Sequence, residues 1–180
     1  RSIIILQDMN LNNRPIVFVA NSSWYLFHYR RGLIKKCGLD NKVITLSPVD
    51  QSTNYLSSIS THMIWKISRR KSANPLALLI DTFKMFFLLK AIKPGLVHSH
   101  TIKANFVIAL CTSLLGIPCV ISFTGLGKLQ TGYKSYFLYL ILKFIHLFGN
   151  LDRVGFFKIN FNHNRTKYIF QNPRDKEMFE

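Results

Sequence analysis

The sequence predicts an α/β protein, an open and mostly parallel sheet with helices on both faces. Three observations carry that expectation. Short, continuous apolar runs alternate with longer helical stretches along most of the chain. Several of those runs stop abruptly at polar or glycine-containing loops, as strands buried on both faces do. The 180 residues are 48% hydrophobic and only 18% charged, which excludes a disordered chain and suffices for one domain with a proper core or one half of a larger enzyme.

The elements come in a regular order. PIVFVAN (15–21) ends in a polar loop and reads as the first buried strand. YLFHYRRGLIKK (25–36) has a helical pattern that stops near Cys37-Gly38. NKVITLSP (41–48) is a second strand closed by Pro48, and HMIWKIS (62–68) a third, alternating one. The basic loop SRRKSANP (68–75) leads into a long helix that Asn74-Pro75 starts and Pro94-Gly95 breaks, near Lys93. GLVHSH (95–100) is the fourth strand, NFVIALCTSLLG (105–116) a helix ending at Gly116, and CVISF (119–123) the fifth strand, opened by Ile117-Pro118. A helix from about Tyr133 to Phe148 comes next, then a stretch without a clean period (149–167), a last strand KYIFQN (167–172), and PRDKEMFE as the first turns of a helix. Residues 1–14 read as a tail, and there is no internal repeat or low-complexity segment.

A formal net charge of +16, from 24 basic and 8 acidic residues, favours a polyanionic partner: nucleic acid, anionic lipid headgroups or a phosphorylated ligand. Fifteen Phe shift the balance toward a membrane surface, because basic and aromatic side chains together suit the headgroup region. Nucleic acid is disfavoured, since the basic residues are spread along the chain and no RNP, KH or zinc-finger pattern occurs. PLALLIDTFKMFFLLKAI (75–92) carries Asp81, Lys84 and Lys90, and YFLYLILKFIHLF (136–148) is short and carries Lys143 and His146. A spanning helix wants about 20 nearly uncharged residues, so both read as helices buried on one side, the second also suited to lying on a bilayer. Cys37, Cys111 and Cys119 form neither a disulfide framework nor a zinc pattern and suggest a reducing, cytoplasmic setting; the opening residues lack signal-peptide features.

In such a sheet, ligands bind beyond the carboxyl ends of the strands. Three loops fall there: NSSWYLFHYR (21–30), HSHTIKAN (98–105) and TGLGKLQTG (124–132). The last is neither a P-loop, because Leu129 follows Gly127-Lys128 and position 122 is not Gly, nor a dinucleotide fingerprint, because position 130 is Gln. It remains a tight glycine-permitted turn where backbone can approach a ligand, with Lys128 placed for a phosphate, or an ordinary strand-to-helix turn. His98 and His100 alternate on one strand face; with no third ligand in view a metal is not expected. His98 reads as a packed strand residue, and His100, at the strand end, as a group that bonds a ligand or carries a proton. Lys103 serves a phosphate or solvates a helix start. Asn21, Ser22 and Ser23 offer short polar groups, though Ser22 or Ser23 also suits a helix cap. Trp24 and Tyr25 suit stacking on a sugar or packing into the sheet, and Arg30-Arg31 face an anion or solvent. Neither a GxSxG nor an HExxH signature is present.

Four stretches in the right order, VFVANSSWYLFHYRRGLI, LVHSHTIKANFVIA, GIPCVISFTGLG and YIFQNPRDKEMF, resemble the N-terminal domain of family 4 glycosyltransferases, over about residues 15–180. The subgroup they are most similar to builds bacterial surface polysaccharides, O-antigen and capsule. The resemblance implies a GT-B architecture, in which two Rossmann-like domains face a cleft. It implies that this N-terminal half takes the acceptor, a sugar on a polyprenyl diphosphate lipid. The nucleotide-sugar donor would be bound mainly by the other half and would be a substrate, so no cofactor and no metal are expected. Transfer would retain the anomeric configuration.

By position, Asn21, Ser22, Ser23, Trp24 and Tyr25, then His100 with Thr101 and Lys103, then Thr124, Gly125, Leu126, Gly127 and Lys128, would line the cleft, His100 being the candidate catalytic group. Peripheral contact with an anionic membrane, at the inner face of the cytoplasmic membrane, would fit such an acceptor. The sequence departs from the family pattern in its first loop, where NSSWY replaces a Gly-rich turn, and in lacking the E-x7-E pair of the donor domain: Glu177 and Glu180 are its only glutamates. The expectation is therefore a tail (1–14) and an acceptor-side domain (15–180) without its donor-binding partner, inactive alone. The alternative is a non-catalytic module that binds membrane or a partner, as a truncated remnant or a subunit of a split transferase.

Overall fold

The computed structural model describes residues 13–66, 75–123, 143–144 and 166–170. Strand β1 is Ile16–Val19. A helix in three parts comes after it: α1 (Ser23–Tyr25), a π-helical turn (Leu26–Arg30) and α2 (Arg31–Asp40). Next come β2 (Val43–Ser47), α3 (Thr53–Ser57), β3 (Thr61–Ile64), α4 (Pro75–Ile92), β4 (Leu96–His100), α5 (Ile102–Leu115), β5 (Cys119–Phe123) and β6 (Thr166–Phe170).

The six strands form one sheet in the order β3-β2-β1-β4-β5-β6, and every pairing is parallel. A parallel sheet needs both faces covered, because its crossover helices lie on them. The sequence meets that demand: every residue of β1, β2, β4 and β5 is buried, while β3 and β6, at the edges, are part-exposed. Alternate residues feed two cores. Val17, Val19, Ile44, Leu46, Val97 and Ile121 pack under α4 and α5 against Met85, Leu89, Val107 and Ile108. Ile16, Phe18, Val43, Leu96 and Val120 pack on the other face against Leu26, Ile34 and Leu56. The expected α/β sheet with helices on both faces is thus the observed one, and its strand order is that of the Rossmann-like doubly wound folds.

Local chemistry sets the element ends. Gly116 takes the left-handed conformation (φ 64°) that closes α5, with Ile117 N–H donating to the Thr112 carbonyl at 3.0 Å. Lys93, Pro94 and Gly95 stop α4, and Gly95 N–H then bonds the Pro15 carbonyl at 3.0 Å, joining the entry ends of β4 and β1.

Four details differ from the sequence expectation. Helix begins at Ser23 and continues to Asp40, so most of the expected 21–30 loop is helical. A short helix at Thr53–Ser57 had no sequence signal, because one turn is too brief to show a period. Strand β3 stops at Ile64, not Ser68, and α5 starts at Ile102 rather than at 105. The tail through residue 12, the basic loop, most of the 133–148 helix, the 149–165 stretch and the residues after 170 lie outside the described residues.

His98 is the packed strand histidine that the sequence leads one to expect. It is 1% exposed and shares a 2.8 Å hydrogen bond from Nε2 with Ser122 Oγ on β5. Burial, helped by the Arg30 cation, pushes its pKa down to about 3. The unfolded chain binds that proton near pH 6.5, so the unfolded state holds more protons between about 3 and 6.5. The stability that a neutral His98 contributes is complete above that window and is lost as pH falls through it. Between pH 7.5 and 5.0, wild type is expected to lose about 2 kcal/mol more than His98→Gln, as read by urea denaturation at each pH. Truncating the fully buried Leu89 to Ala should cost about 2–5 kcal/mol in the same assay, whereas Phe83→Ser on the outer face of α4 should stay within about 0.5 kcal/mol.

Candidate functional site

Strands β1 and β4 are neighbours, yet the helices that come after them lie on opposite faces of the sheet. In doubly wound sheets such a divergence marks the crevice beyond the carboxyl ends where ligands bind. Two sequence-predicted segments meet at this end, the 21–25 turn and the 100–103 turn; the third is the loop after β5. The last, with Thr124, Gly125, Leu126, Gly127 and Lys128, lies outside the described residues.

The first turn is held from beneath. Ser22 caps α1, its Oγ accepting from Tyr25 N–H at 3.2 Å. Ser23 is wholly buried and turns away from the crevice: its Oγ lies 2.8 Å from Ser47 Oγ and donates to the Pro48 carbonyl at 2.8 Å. Asp50 ties the turn to the β2–α3 loop, accepting from Trp24 N–H at 2.8 Å and from Ser52 N–H at 2.8 Å. Asn21 is half-buried at the strand end. Trp24 is exposed and stacks on His28 with ring centroids 4.6 Å apart.

Tyr25 and His100 are brought together. Their rings lie 5.7 Å apart, and His100 stacks on Phe18 at 6.3 Å and sits 4.2 Å from the His98 ring. The π-helical turn then brings Arg30, five residues on, back over the Tyr25 ring at 5.8 Å. From there its Nε–H donates to His100 Nδ1 at 3.3 Å. That bond fixes the imidazole: with Nδ1 accepting, a neutral ring carries its proton on Nε2. Burial, then His98 and the Arg30 cation, hold the His100 pKa well below 6.5. His100 is thus built to donate a hydrogen bond from Nε2–H, and its other nitrogen is already engaged.

The β4–α5 turn carries a concentration of unanswered polar atoms. Ser99 Oγ, His100 Nε2, Thr101 Oγ1 and Asn105 Oδ1 are buried without a hydrogen-bond partner among the described residues. Asn105 spends its amide on the Ser122 carbonyl at 3.0 Å. Thr101 has φ 76° and ψ 139°, a conformation that costs a non-glycine residue about 1–3 kcal/mol and that gathers at functional sites. Lys103 is half-buried in the first turn of α5; burial lowers its pKa, and Asp81 on α4 opposes that shift. Cys111 and Cys119 are buried, and burial pushes both thiols up to about 12, so neither is a nucleophile. Among the described residues no group of three His, Cys, Asp or Glu comes together as metal ligands would.

Sequence reading left Arg30 open between anion and solvent and gave Asp50 and Ser47 no role. A regular helix phase hides Arg30, because the π turn rotates the residues after it. Ser47 and Asp50 reach the 22–25 turn through contacts 24 to 26 residues apart.

Residues 15–172 match a family described as glycosyl transferase 4-like. No curated protein sequence matches the chain. Among solved structures, HepE of Anabaena in complex with UDP is similar with a TM-score of 0.52 at 14% identity, over 89% of this chain and 47% of that one. MurG of Acinetobacter baumannii scores 0.47 at 21% identity, over 89% and 46%. A sucrose-phosphate synthase of Thermosynechococcus elongatus scores 0.48 at 9% identity, over 92% and 93%. The chain spans about half the length of HepE and of MurG. The likeness to HepE concerns the fold, a Rossmann-like α/β unit of the GT-B type. With a family match that runs from β1 past β6, the chain belongs to the glycosyl transferase 4-like family.

Proposed function

We propose that this chain is the acceptor-side domain of a retaining glycosyltransferase, which moves a sugar from a nucleotide-sugar to a polyprenyl-diphosphate-linked glycan in O-antigen or capsule synthesis. The observation that carries the reading is the set of buried, unanswered polar atoms on the strained β4–α5 turn, at the sheet's switch point, in a chain of this family. A sugar hydroxyl both donates and accepts, and it suits the His100 Nε2–H and Thr101 Oγ1. Tyr25 offers an aromatic face beside them. A donor-binding domain, in the same polypeptide or as a separate subunit, completes the cleft and meets the charge of the departing diphosphate.

Gln places its amide nitrogen where His carries Nε2, and Asn places its own near Nδ1. In a protein that includes the donor domain, His100→Gln should therefore keep most of the transfer activity, while His100→Asn and Lys103→Ala should each lower kcat/KM at least about tenfold with folding preserved. Wild-type turnover in all three would sink the site assignment.

Peripheral contact with an anionic membrane, at the inner face of the cytoplasmic membrane, belongs to the same proposal. Its support is the outer face of α4. Leu76, Ile80, Phe83 and Phe87 recur there at helical spacing, each between 47% and 64% exposed, with Leu79 beside them. The exposed Lys84 and Lys90 flank this ridge. Among the described residues no helix is long and apolar enough to cross a membrane. An apolar ridge with basic flanks on a chain of net charge +16 suits anionic headgroups. The same ridge favours the second reading, a non-catalytic membrane-surface module. Flotation with vesicles containing anionic lipid should carry wild type and leave Phe83→Glu/Phe87→Glu behind. Equal flotation of both would reject the ridge, and a ridge-dependent dimer without flotation would assign it to a second copy.

A further inference from the structure

We propose that Arg30 anchors a phosphate site at the β1–β4 switch point, where its guanidinium takes oxygens of a diphosphate-bearing ligand. The site rests on the transferase cleft proposed above but not on which sugar is moved.

Arg30 is a half-buried cation held in one pose from two sides, by Tyr25 beneath its plane and by His100 Nδ1 on its Nε–H. Both contacts leave the two terminal amino groups free, and no acceptor for them exists among the described residues. A guanidinium fork fixed through its Nε presents the edge that grips a phosphate by two parallel hydrogen bonds. No counter-ion competes for it among the described residues. Asp50 is committed to backbone N–H groups, Asp81 lies on α4 across the sheet, and Asp40 ends α2. A partly desolvated cation without a counter-ion is unfavourable, and the arriving anion removes that penalty.

The π-helical turn adds an independent reason. It interrupts an otherwise α-helical segment at the residues that deliver Arg30 to the end of β4. Such turns are rare and occur frequently at functional sites. With His100 placed beside it as a fixed Nε2–H donor, Arg30 is both a binding residue and a positioning residue.

The ligand chemistry is a diphosphate, and two sources supply one: the nucleoside diphosphate of a sugar donor and the prenyl diphosphate of a lipid-linked acceptor. The test titrates inorganic pyrophosphate into the chain by calorimetry at fixed ionic strength. Wild type should bind saturably, Arg30→Gln should weaken binding at least tenfold, and Lys42→Gln, exposed at the entry edge of the sheet, should change it less than twofold. Arg30→Lys keeps the charge but loses the Nε–H. It should bind at an intermediate level and release the His100 tautomer, seen as Nδ1–H signal in long-range 1H–15N spectra. Circular dichroism confirms that the variants are folded.

Binding by Arg30→Gln equal to wild type, or an equal loss in Lys42→Gln, overturns the site. Competition then assigns the source, uridine diphosphate displacing pyrophosphate for a donor and farnesyl diphosphate for an acceptor; displacement by neither also overturns it. The transferase reading fails separately, if a protein with the donor domain moves no sugar while Arg30 still binds pyrophosphate.

Discussion

The described structure depends on one constraint: β1 lies in the middle of a parallel sheet and must be covered on both faces. Its four residues split evenly between the two cores, Val17 and Val19 to one, Ile16 and Phe18 to the other. Because the chain leaves β1 for β2 on one side and returns through α4 to β4 on the other, the connections diverge there. The crevice is the geometric result of that divergence, and it exists before any functional side chain is placed in it.

The crevice edge is filled by polar chemistry supported by core contacts. Phe18, a core residue of β1, is also the ring on which His100 stacks. His98 ties β4 to β5 through Ser122, and Ser23 ties α1 to the end of β2 through Ser47. His98 Nε2, Ser122 and Ser23 are therefore committed to holding strands in place. Those one step further out, His100 Nε2 and Thr101 Oγ1, stay unanswered among the described residues. A committed and an unanswered imidazole nitrogen thus sit two residues apart on one strand, at His98 and His100.

Much of this was legible in the sequence. The buried strands read clearly because parallel-sheet strands are apolar throughout, and VFVA, VITL and CVISF show it. Gly116 and Pro94-Gly95 marked helix ends by their backbone preferences. The shared face of His98 and His100 came from the period of a strand and is borne out by a 4.2 Å ring separation. Other features had no local signal. A π turn has no composition of its own, so the arrival of Arg30 at His100, 70 residues away in sequence, could not be read from a helical period. The committed state of Ser23 is likewise a long-range fact, set by β2.

The course of α4 has a geometric consequence. It leaves the carboxyl edge of the sheet and ends at the entry edge, where Gly95 meets Pro15. Its 18 residues run about 27 Å, antiparallel to the strands and alongside them. A flat bilayer seated on its outer side chains would lie parallel to the strands, so the crevice would open along the plane of the membrane instead of away from it. A substrate anchored by its own lipid tail could then enter sideways, at the height of the headgroups, without its tail leaving the bilayer.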